Sequence, residues 1–142
     1  MKPTKGAARQ AAAKRPRKQA TTRLGRLRTM VNAKTAPFKA LDAFEGVTWP
    51  GLSWCNLSRD AKTGHGFFLV KFAPGAVSHP HEHLGFEEFV MLEGDLEDSD
   101  GTTYRKGDCI SLKPGSRHWS RSRKGCIVAV FTRGPLRVLA EA

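Results

Sequence analysis

Pro74-Gly75-Ala76-Val77-Ser78-His79-Pro80-His81-Glu82-His83-Leu84-Gly85-Phe86-Glu87-Glu88-Phe89-Val90-Met91-Leu92-Glu93-Gly94 is the stretch on which the fold turns. It opens on a Pro-Gly turn, closes on Glu93-Gly94, and holds two β-prone runs, Val77 to His83 and Glu87 to Leu92. In a strand, side chains alternate between faces, so His79, His81 and His83 share one side. With a rise of about 3.3 Å per residue, imidazoles two positions apart can share an ion, whereas those four apart cannot easily do so. One adjacent pair is therefore the chelating one. Glu87 follows across Leu84-Gly85-Phe86, where a sharp turn would return a carboxylate to the same ion, and Glu88 competes for that role from the opposite face. Neutral imidazoles with one carboxylate suit Fe, Zn, Mn, Ni or Cu as divalent ions and leave positions open for water or substrate.

Outward from this stretch the texture stays the same. Further short runs are Thr48 to Leu57, Gly66 to Phe72, Asp95 to Glu97, Thr102 to Arg105, Cys109 to Leu112, His118 to Ser120, Cys126 to Thr132 and Leu136 to Leu139. Turn signals such as Asp60 to Gly64, Asp98-Ser99-Asp100-Gly101 and Pro114-Gly115 separate them, which predicts an all-β barrel or sandwich. His118 stands alone, after the second Pro-Gly turn.

These residues carry a family resemblance. Gly75-x5-His81-x-His83-x3-Glu87-x6-Gly94 is similar to the first cupin motif at each spacing, and Gly107-x7-Gly115-x2-His118 to the second. Lys113 replaces the usual Pro of the second motif, with Pro114 one place later, and Ser122 stands where Asn is common. The run Phe86 to Gly94, with Asp98 to Gly101 and Gly115-Ser116-Arg117-His118, resembles the ChrR-like cupins over about Trp49 to Val130. That group includes an anti-sigma cupin domain and β-diketone-cleaving dioxygenases. The resemblance implies a single antiparallel β-barrel of jelly-roll type, a homodimer, and a divalent metal ion on His81, His83, Glu87 and His118. It implies either a metal-dependent dioxygenase acting on a diketone or phenolic ketone, or a zinc-binding sensor or small-ligand regulatory module. Diketone-cleaving members use three histidines without needing the Glu. The anti-sigma relative carries a helical zinc domain before its cupin, and no Cys or His precedes Cys55 here, so the chain does not match that arrangement in full.

Around the ion, Phe89, Met91 and Trp119 are candidates for an apolar substrate pocket, and His79 is a candidate acid/base at the barrel mouth. Aromatic residues in a small barrel also serve simply as core.

Length and charge bound the rest. A chain of 142 residues has room for one domain. Its net charge of +11 is lopsided: residues 1–41 hold twelve Lys or Arg and no acid, whereas twelve basic and thirteen acidic residues follow. The expected division is a basic tail, disordered or partly helical, over residues 1–40 and a cupin domain over 41–142. Lys14-Arg15-Pro16-Arg17-Lys18 could contact nucleic acid nonspecifically, and Leu24, Leu27 and Val31 fall at helical spacing. Cys55, Cys109 and Cys126 are odd in number and lack a CxxC pair, which argues against a disulfide framework. No run approaches the roughly 20 apolar residues of a membrane span, and a cytoplasmic location is expected.

Overall fold

The structure, a computed structural model, describes residues 21–140. The described residues up to Met30 and those from Val31 onward fall in two separate units. In the first, α1 (Arg23–Leu27) starts where Thr22 Oγ1 accepts from the amide of Gly25, while Leu24 and Leu27 are exposed. The expectations placed on residues 1–20, including the basic cluster, lie outside the described residues.

The second unit is built of β1 (Lys39–Ala40), β2 (Leu52–Asn56), β3 (His65–Phe72), β4 (His81–His83), β5 (Glu87–Gly94), β6 (Leu96–Asp98), β7 (Thr103–Tyr104), β8 (Cys109–Leu112), β9 (Arg117–His118), β10 (Ser120–Arg121), β11 (Cys126–Arg133) and β12 (Leu136–Val138). Every ladder described between them is antiparallel. They form a six-stranded sheet ordered β1-β2-β3-β11-β5-β8 and two three-stranded sheets, β10-β6-β7 and β12-β4-β9. No ladder among the described residues closes these three sheets into one ring. No helix described is long and apolar enough to cross a membrane.

Alternation builds the core. Phe68, Val70 and Phe72 of β3 face inward beside Cys126, Val128 and Val130 of β11, which in turn stand beside Phe89 and Met91 of β5. Val130 pairs with Phe68 on one side and Phe89 on the other. Burying each such side chain stabilises the fold by about 1.5–3 kcal/mol. At Ile127/Val128 the register against β5 shifts, so that Ile127 faces Glu93 while Val128 faces Met91, and the inward row survives the bulge. Gly94 ends β5 with a φ of 72°, and a Cβ there would sit 2.2 Å from the carbonyl oxygen of Gly125. Only glycine fits that crossing.

Two strands differ from expectation. The run from Val77 to His83 yields only His81–His83 as strand, with Val77 held in an isolated bridge to Arg121. Pro80 lacks the amide that would continue the ladder. The run His118 to Ser120 splits into β9 and β10, which belong to different sheets.

Candidate metal centre

The sheet β12-β4-β9 delivers the histidines. In its register His81 stands directly opposite His118, and His83 lies two residues from His81 on the same face. The result is a group of three imidazoles, His81, His83 and His118, whose ligand atoms all lie within 4.8 Å of one another. His118 Nε2 approaches His83 Nε2 at 2.9 Å and His81 Nε2 at 3.1 Å.

The opposite ring nitrogens decide what those contacts mean. His118 Nδ1 lies 2.8 Å from Asp98 Oδ1, and His81 Nδ1 lies 2.6 Å from the carbonyl oxygen of His79. Both partners accept only, so each Nδ1 carries the proton and, in a neutral ring, each Nε2 presents a bare lone pair. His83 Nδ1 is 3.5 Å from Glu87 Oε2, which favours the same tautomer. Lone pairs facing one another at 3 Å repel unless a cation lies among them. Metal–nitrogen bonds of about 2.1 Å place nitrogens at right angles about 3 Å apart, so the donor set fits one divalent ion.

Electrostatics divide the three rings. Burial, reinforced by the neighbouring rings, pulls His81 down to about 4 and His83 to about 3, which keeps both neutral at neutral pH. For His118 burial acts in the same direction, but the hydrogen bond to Asp98 and its charge outweigh it and hold the group above its ordinary value. Burial pushes Glu87 up to about 7. Asp98 stays below its usual range despite burial, because it accepts from His118 and, at 2.6 Å each, from the hydroxyls of Ser120 and Tyr104.

Asp98 is a residue that motif spacing does not single out for this role. It lies on β6, opposite Ser120 of β10, and β10 follows β9 after a single residue, Trp119. Crossing from one sheet to the next at Trp119 puts His118 beside His81 and Ser120 beside Asp98. A carboxylate behind a ligating imidazole fixes the ring's tautomer and orientation. The run Asp98-Ser99-Asp100-Gly101 is visible in sequence only as a turn signal.

The other predicted residues are distributed as follows. Glu87 faces inward from β5 next to His83 but is not among the three clustered ligands, and Glu88 faces outward in an ion pair with Arg133. His79 is half-buried, with Nε2 at 2.7 Å from the carbonyl oxygen of Thr48 and its ring edge-on to Trp49 at 4.9 Å, apart from the cluster. An apolar cavity of about 90 Å³ adjoins the imidazoles, lined by Phe44, Leu52, Phe68 and Phe89 together with His81, His83, Glu87 and His118. Phe89 thus lines it, whereas Met91 packs in the core beyond it and Trp119 is not part of its wall. Alternation turns Trp119 away from the face that His118 and Ser120 present.

An antiparallel β fold holding three convergent histidines beside a small apolar cavity defines a metal-site class of β protein. The chain belongs to the ChrR cupin-like domain family, which matches residues 28–136. Solved structures with the same fold include a putative acetylacetone dioxygenase from Methylibium petroleiphilum (17% identity, 79% of this chain and 81% of that one, TM-score 0.66). The acetylacetone dioxygenase from Acinetobacter johnsonii is similar at 17% identity, over 87% of this chain and 83% of that one, with a TM-score of 0.66. A predicted oxalate decarboxylase from Thermotoga maritima matches at 19% identity over 75% and 99%, with a TM-score of 0.59. Among curated proteins no match was found.

Proposed function

We propose that the protein is a metal-dependent cupin enzyme of dioxygenase type, acting on a small oxygenated substrate such as a diketone or phenolic ketone. The observation that carries this reading is the convergence of three Nε2 lone pairs, at 2.9 and 3.1 Å, on the wall of an apolar cavity. His81, His83 and His118 would hold a divalent Fe, Zn, Mn or Ni ion, with Glu87, which lines the same cavity, as the fourth ligand. When bound, such an ion would polarise substrate oxygens, and a redox-active one such as Fe would also supply the electron chemistry that the side chains lack. The chain's own contribution is to orient the imidazoles through Asp98 and the His79 carbonyl, and to exclude water with an apolar wall. A cavity of about 90 Å³ is far below the roughly 300–1,000 Å³ of drug-sized sites, which favours a compact substrate. Dioxygenases for acetylacetone among its fold neighbours are consistent with that size class. A homodimer and a single jelly-roll barrel spanning 41–142 are family-based parts of the same proposal, while a cytoplasmic location and nonspecific nucleic-acid contact by the basic residues 1–40 are proposed from the sequence alone.

The test is metal analysis of the purified protein followed by oxygen uptake with acetylacetone and hydroxyacetophenones. Near-stoichiometric metal, lost in His81→Ala and His118→Ala, together with oxygen uptake is expected. Retained zinc without oxygen uptake would favour the sensor or small-ligand regulatory module instead, and unchanged metal content in both variants would defeat the ligand assignment.

A further inference from the structure

Arg59 lies in the connection between β2 and β3, next to the turn signal Asp60 to Gly64, where a solvated side chain is the ordinary outcome. Only 5% of its side chain is exposed. The backbone enforces this. Asn56 Oδ1 accepts from the amide of Arg59 at 2.8 Å and Asn56 Nδ2 donates to the Arg59 carbonyl at 3.0 Å, clamping the residue from both sides. Gly66 of β3 presses against it so closely that a Cβ there would sit 2.3 Å from the Arg59 Cα. Held in this way, the side chain turns inward and lines the same cavity as His81, His83 and His118.

There the guanidinium is poorly provided for. It lies over the Phe44 ring at 4.4 Å, and Nη2 donates to Glu45 Oε1 at 2.5 Å. Its Nε is buried and finds no hydrogen-bond partner. A guanidinium stays charged at any pH the fold survives, and its planar donors are matched to two oxygens of one carboxylate. A buried N–H without an acceptor is costly, and the surrounding wall of Leu and Phe offers none. A neutral diketone would leave that donor unmet.

Resting on the reading above that this cavity is the substrate site, we infer that the substrate carries a carboxylate, which the Arg59 guanidinium receives with its unpartnered Nε as one donor, while the substrate's keto oxygens face the histidines. Glu45, already on Nη2, competes with that carboxylate and keeps the guanidinium balanced when the cavity holds no anion.

Two probes share a β-diketone and differ in one end: acetylacetone is neutral, and succinylacetone bears a carboxylate. Dissociation constants for both are measured by calorimetry on the metal-loaded protein and again after chelation. Wild type is expected to bind succinylacetone about tenfold or more tighter than acetylacetone, the size of one charge-assisted hydrogen bond. Arg59→Met removes that preference, so that the two probes bind alike, and Arg59→Lys, which keeps the charge but not the planar fork, is intermediate. Glu45→Gln strengthens the preference, the opposite of what loss of a merely structural latch would do. Equal affinities in wild type, binding of neither probe, or an undiminished preference in Arg59→Met would overturn the inference; the wild-type comparison needs no variant to fold. The preference also persists in chelated protein, so an absence of metal or of oxygen uptake would sink the dioxygenase reading and leave this one standing.

Discussion

The sheet β12-β4-β9 has two faces one residue out of phase, and they solve opposite problems. On the outer face the buried Glu82 carboxylate is shared by Arg117 at 3.4 Å and Arg137, in register across the strands, whose own side chains are largely exposed. On the inner face the Nε2 atoms of His81, His83 and His118 crowd together, and only His118, held above its ordinary value by Asp98, can bring a second proton to the group. The outer row is complete within the chain, whereas the inner row needs a positive charge among its nitrogens, a metal ion on all three or a proton on His118. The same backbone and the same register thus produce a self-sufficient surface and a binding site, and the difference lies in which residues alternation sends inward.

The comparison breaks most sharply at Asp98, which supports the inner face from behind. Asp98→Asn weakens the fix on His118 and is expected to lower metal affinity about 10–100-fold, measured by competition with a chelator. An affinity unchanged by the substitution would show that the ring is oriented without it. β5 allows a finer cut, because Glu87 faces the imidazoles and Glu88 faces Arg133. Glu87→Gln should weaken metal retention several-fold in the same titration, whereas Glu88→Gln should leave it unchanged. Equal effects would mean that the faces are not distinct. The smallest effect belongs to the outer row: Glu82→Gln should lower Tm by a few degrees at most, with no change in metal affinity, because its arginine partners remain largely solvated. A loss of metal in that variant would instead tie the outer row to the orientation of β4.

The site was legible in sequence where local periodicity governs. His81 and His83 share a face because a strand repeats every two residues, and the same period separates Glu87 from Glu88 and Phe89 from Val90. His79 obeyed the pattern on paper and left it in space, since Pro80 interrupts the ladder and the imidazole turns to Thr48. Trp119 has the aromatic character that a pocket needs, yet it sits at the crossing between β9 and β10 and takes no part in the cavity wall. Met91 shares the inward face but sits farther along β5, in core rather than cavity.

By itself the sequence determined the β-rich class, the turns and the identity of three histidines, because alternation and turn chemistry are written in residues a few positions apart. Tertiary structure alone decided which nitrogens converge, that Asp98 stands behind His118 across 20 positions, and that Arg59 turns inward from an apparently solvated turn. Those outcomes depend on strand register and on the packing of separate sheets, and such long-range pairings leave no periodic trace in the chain.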